Sequence, residues 1–110
     1  MGKTLASFDA TTQERATEAF ALFTGTYRIA GNMIRAEELG EAVQGALDAS
    51  GGDASAPGFR AELHERLLAP LYQRIAEYAR RGEDLPTDLD AEGYAKLKKG
   101  LEAKFGPLPE

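Results

Sequence analysis

Glu18-Ala19-Phe20-Ala21-Leu22-Phe23, then Ile34-Arg35-Ala36-Glu37-Glu38-Leu39-Gly40: these two runs decide how the chain folds. The first is the body of an apolar helix. The second opens another apolar stripe, continued by Val43 and Leu47, and the residues between are irregular. The order reads as helix, loop, helix. Upstream, Thr11-Thr12-Gln13-Glu14 fits a capping box, in which a hydroxyl cap is answered by a carboxylate three residues on, so the first helix is expected to open near Thr11. Ala16, Phe20, Phe23 and Tyr27 recur at helical spacing and mark its buried face. Gly25 weakens the helix by up to about 1 kcal/mol relative to Ala, which places its end between Phe23 and Tyr27.

The segment Thr26 to Met33 is read as an ordered loop with a brief extended portion around Met33-Ile34. A short hairpin turning at Ala30-Gly31-Asn32 and a continuous helix are the alternatives. A second helix is expected over Ala36 to Ala49, with Leu39, Val43 and Leu47 in its stripe. Gly40 and Gly45 lie inside it, so packing rather than intrinsic propensity must hold it. Ser50 to Gly58 is rich in small residues and reads as a flexible linker, a hinge or tip between two halves. The third helix, Phe59 to Arg81, carries Phe59, Leu63, Leu67, Leu71 and Ile75 on one face. Pro70 removes a backbone hydrogen bond inside it, so a kink or break is expected near Arg66 to Pro70. A fourth helix is expected from Asp88 or Asp90, burying Tyr94, Leu97, Leu101 and Phe105 until Gly106-Pro107 end it. The fold expected is therefore all-α: a single four-helix domain over 1–110, two helix-loop-helix hairpins packed on one core, with 1–8 and 106–110 loose.

Composition narrows the function. The 110 residues are 43% apolar and 8% aromatic, ordinary for a globular chain, and carry no cysteine, which excludes disulfides and thiolate metal sites. No apolar run approaches the ~18 residues that span a bilayer, and Met1 to Phe8 lacks the apolar core of a signal peptide. Gly2 falls outside the myristoylation pattern because Ala6 stands where a hydroxyl is wanted. A soluble, cytoplasmic protein is expected. The net charge of −5 argues against nucleic acid as a partner, and the lysines at 96, 98, 99 and 104 read as the wet rim of an apolar stripe.

The residues Glu18-Ala19-Phe20-x-Leu22-Phe23, then Ile34, then Glu38-Leu39-Gly40, resemble the first helix-loop-helix of an EF-hand protein. In that family an isoleucine inside the loop pairs with the partner loop, and a glutamate four residues later closes it; Ile34 and Glu38 have that spacing. The liganding positions depart from the pattern. A loop counted back from Glu38 begins at Tyr27 and puts Ile29 and Gly31 where carboxylates belong, whereas calcium needs six to eight oxygen ligands. The resemblance implies a second hand at Gly82 to Tyr94, with Leu89 in the isoleucine place. There Gly82 and Gly93 replace the first aspartate and the closing glutamate. It thus implies a degenerate pair whose calcium ligands are largely lost, with Asp84, Asp88 and Asp90 as weak metal candidates. Those acids equally complement the amino end of the fourth helix as cap and dipole partners.

His64 is the sole histidine, beside the Leu63/Leu67 stripe on an outward or boundary face, and no spacing links it to a catalytic partner. Tyr72 and Tyr78, with Arg74, Arg80 and Arg81, read either as an aromatic and basic patch or as core-edge residues with wet hydroxyls. No phosphate-cradling glycine loop or other cofactor signature is present. The function expected is a small non-catalytic protein-binding module, a regulator, adaptor or inhibitor without cofactor, that docks its partner through Met33, Phe59, Tyr72 and Tyr78. A weak divalent-ion sensor of EF-hand type, and a small helical ligand-binding protein or enzyme, are the alternatives.

Overall fold

A computed structural model describes residues 3–109. Met1, Gly2 and Glu110, and with them the reading of Gly2 and the outermost residues of the two ends, lie outside the described residues. The architecture is all-α. Helix α1 spans Ala10–Tyr27, α2 Ala36–Ala49, α3 Phe59–Arg80 and α4 Ala91–Phe105, with single 3-10 turns at Leu5–Ser7 and Gly31–Met33.

Helix α1 starts earlier than the Thr11 capping box suggests. Asp9 is the cap, its carboxylate accepting the Thr12 amide at 2.8 Å. That hydrogen bond holds the Asp9 carboxyl below its ordinary pKa. A charged acceptor facing the amino-end dipole outcompetes a hydroxyl two residues later. The helix then runs through Gly25 and stops at Arg28, which takes the left-handed conformation (φ 52°) and donates its amide to the Thr24 carbonyl.

Beyond that stop the chain is an ordered loop. Ile29 makes an isolated antiparallel bridge to Thr87, and Gly31–Met33 form a 3-10 turn. Ile34 and Arg35 are extended, so the extended portion falls about one residue later than Met33-Ile34. Neither a hairpin nor a continuous helix forms.

Helix α3 is the hub. It packs against α2, α1 and α4, and its stripe of Phe59, Leu63, Leu67, Leu71 and Ile75 is almost fully buried. Full burial of each such side chain contributes about 1.5–3 kcal/mol. The helix is continuous through Pro70 rather than broken there. Helix α2 covers it with Leu39, Ala42, Val43, Ala46 and Leu47, and α1 adds Ala16, Ala19 and Phe23.

The stretch 50–58, expected as a flexible linker, is a chain of hydrogen-bonded turns. Gly52 bonds back to the Leu47 carbonyl at 2.7 Å, Ala56 to Asp53 at 3.1 Å and Phe59 to Ala56 at 3.1 Å. Ala54 within it is buried. The ends are docked too. Leu5–Ser7 lie on α2, and Leu108 is buried with its amide on the Glu102 carboxylate at 3.0 Å.

Helix α4 corrects the expectation of a fourth buried stripe. Asp90 caps it by accepting the Gly93 amide at 2.6 Å. Only Leu101 is buried; Tyr94 and Leu97 are half-buried, and Phe105 is exposed. Its last turn is turned outward, and Leu108 rather than Phe105 enters the core.

Candidate functional site

The spacing of α4 creates the site. Gly93, the pairs Lys96-Leu97 and Gly100-Leu101, and Lys104 recur at spacings of three and four residues, so they share one face of the helix. That face does not press against its neighbours along its whole length. Between it, the end of α1 and the middle of α3 runs an open groove of about 450 Å³. Leu68 on α3, Leu89 on the loop before α4, and Leu97 and Leu101 make the walls apolar, and Thr26 and Tyr27 close the α1 side. A Cβ built on Gly100 would meet nothing within 4 Å, so the α4 backbone is bare at that point. One turn before Thr26 on α1, Leu22 is 53% exposed, outside the groove's lining.

Behind Tyr27 stands an aromatic cluster in which helical spacing pairs Phe23 with Tyr27 but gives no hint of His64. The Tyr27 hydroxyl and His64 Nε2 are paired at 3.0 Å. Phe23 meets both rings edge-on, with centroids 4.8 Å from Tyr27 and 5.1 Å from His64. Burial pushes the Tyr27 phenol above its ordinary pKa. Among the described residues no hydrogen bond joins His64 to a serine or an acid. Its ring nitrogen is bonded to Tyr27, which lines the groove.

Charge is distributed unevenly around α4. Lys96 and Lys104 are the charged residues lining the apolar groove. Lys96 stands 3.5 Å from Glu92, and Lys104 is paired with Glu65. On the other side of Lys104, a wider cleft of about 590 Å³ is lined by Glu38, Glu41, Glu62 and Glu65, with Arg66 and Phe105.

The four residues expected to bind a partner are not gathered here. Phe59 is 2% exposed in the core, where it opens the α3 stripe, and so presents no surface. Met33 is half-buried in the 3-10 turn. Tyr72 donates its hydroxyl to the Gly106 carbonyl at 2.9 Å and so ties down the C-terminal segment. Tyr78 lies under the Arg81 guanidinium, 4.5 Å from its ring centre. Tyr72 and Tyr78 are six residues apart, roughly 120° around the axis of α3, and point to different sides. Arg74, read with them as part of a basic patch, is buried and paired with Glu38 and Glu77.

The acids of the second loop do not converge either. Asp84 and Asp88 are exposed, Asp90 is engaged as a cap, and among the described residues no group of three acidic or histidine side chains is placed to hold a metal ion. The two loops do meet, at Ile29 and Thr87 rather than at Ile34 and Leu89. Thr87 adds a side-chain bond to the Tyr27 carbonyl at 2.7 Å.

Comparison with known proteins finds no family model, no curated protein and no solved structure that matches the chain. No helix among the described residues is long and apolar enough to cross a membrane.

Proposed function

We propose that this chain is a non-catalytic protein-binding module, a regulator, adaptor or inhibitor, whose docking surface is the groove along α4. The observation that carries the reading is the open apolar channel between Leu68, Leu89, Leu97 and Leu101. Apolar surface left contiguous on a small domain marks an interaction site more often than scattered exposed residues do. The channel is open along α4 and its polar groups do not converge, which favours a macromolecular partner over an enclosed small ligand. Site-specific photocross-linking tests it. A photoreactive phenylalanine in place of Thr26, exposed on the groove's α1 side, is expected to trap one stoichiometric protein from source-cell extract, and the same group in place of exposed Ala49 is not. Equal capture at both positions, or none at Thr26, removes the reading.

A second reading, an EF-hand-like pair without working calcium sites, has in its favour only that the two loops meet, since their bridge joins Ile29 to Thr87 and not Ile34 to Leu89. A calcium titration followed at the amides of residues 83–94 decides whether any ion site survives. A saturable shift revives the sensor, and a flat response ends it.

A further inference from the structure

The charge around the groove narrows the kind of partner, and the inference rests on the groove being the docking surface. The chain carries a net charge of −5, yet the charged side chains lining this groove are both cationic, Lys96 and Lys104. They are eight residues apart on α4, or about 12 Å along its axis at 1.5 Å per residue. Acids two helical turns apart on a facing helix have nearly that spacing. Each lysine is held by a single surface glutamate. For Lys96 and Glu92 the side chains are 77% and 80% exposed, and for Lys104 and Glu65 they are 41% and 53% exposed. Pairs that wet are weak and exchange readily for a better-placed carboxylate.

Between the lysines lies Gly100, with open space where a side chain would stand, so a second backbone can approach closely there. The floor beside it is leucine. Among the described residues the only β pairing is the Ile29–Thr87 bridge, so no strand edge is offered to an extended peptide. From these observations we infer that the groove receives an acidic amphipathic helix of a partner protein, its leucine-like residues on Leu68, Leu97 and Leu101 and its flanking carboxylates on Lys96 and Lys104.

Three probes against the isotope-labelled full chain test this by amide chemical shift. The first is a synthetic helix of about four turns with leucines at i, i+3, i+4 and i+7 and glutamates on both flanks. The second is its twin with every glutamate replaced by lysine, and the third is sodium laurate. The acidic helix should saturably shift Gly93, Gly100 and Leu101, bind about tenfold more tightly than its twin, and weaken as salt is raised. The double variant Lys96→Glu/Lys104→Glu changes exposed residues only, and its otherwise unchanged spectrum reports that it folds; it should invert the preference. Equal binding of both helices overturns the charge inference while leaving the groove as a docking surface. Binding of neither helix, or saturation by laurate alone, overturns the helical occupant, and the cross-link at position 26 then reports separately on docking itself.

Discussion

Gly40 shows at the scale of one residue what the sequence pattern leaves unsaid. It sits in the middle of the α2 stripe, where a glycine costs about 1 kcal/mol relative to alanine. The structure supplies the reason for it: a Cβ at Gly40 would collide with the backbone carbonyl of Lys3 and crowd the Cα of Thr4. The 3-10 turn at Leu5–Ser7 can lie on α2 only because that side chain is missing. Gly40→Ala should therefore destabilise the full chain by about 1–3 kcal/mol, since backbone yields poorly to overpacking. In a chain beginning at Phe8 the collision is gone, and the same substitution should stabilise by up to about 1 kcal/mol through helix propensity alone. Urea denaturation of the four proteins reads both effects. An equal loss in the two backgrounds would place the obstacle elsewhere than in residues 3–7.

At the scale of elements, α2 and α3 are joined by more than their apolar stripes. Arg74 lies beneath the start of α2 with its side chain 8% exposed, bonded to Glu38 at 2.7 Å and to Glu77 at 2.7 Å. Glu38 also accepts the Arg35 amide at 2.9 Å, so one carboxylate both caps α2 and fastens it to α3. Removing one partner of a fully buried pair costs about 3–5 kcal/mol. Here Glu38 and Glu77 are 25% and 39% exposed and can be rehydrated, so Arg74→Met should cost about 2–3 kcal/mol. Adding Glu38→Gln keeps the cap, removes the charge and should recover at least about 0.5 kcal/mol, a coupling that a double-mutant cycle of unfolding free energies measures directly. Strict additivity would show that the pair does not hold the helices together. The elements themselves were largely legible: α2 has the expected bounds, and α3 differs by one residue at its end, because strong apolar periodicity is what buries them. The start of α1 was misplaced because Thr11 and Asp9 both resemble caps and only geometry shows which amide is within reach. Arg74 was not legible at all, since a lone arginine on a stripe edge looks the same in sequence whether it is paired or wet. Periodicity showed that α4 has an apolar face but not that the face stays uncovered. That is why Leu97 read as core and the groove went unseen.

For the molecule as a whole, the same contrast predicts how it opens. Helix α3 contributes Phe59, Leu63, Leu67, Leu71, Arg74, Ile75 and Ala76 to the interior, whereas α4 contributes only Leu101. A helix with one buried anchor and an open channel beneath it has little to lose by lifting away, apart from ties to α3 near its end, where Lys104 pairs with Glu65, Phe105 stacks on Tyr72 and the Tyr72 hydroxyl bonds the Gly106 carbonyl. Regions with few buried apolar contacts open at free energies well below that of global unfolding. Native-state hydrogen exchange should therefore find α4 amides opening at least about 2 kcal/mol more easily than those of α3 between Leu63 and Ile75, the difference one or two buried leucines make. Leu101→Ala should widen the gap by lowering protection in α4 while leaving the ranking within α3 unchanged. Filling the groove should narrow it, because a docked helix adds to α4 the apolar contacts it lacks. Equal opening energies for α3 and α4 in the free protein would mean that α4 moves only with the whole fold, and a surface meant to admit a partner would then have to be rigid and preformed.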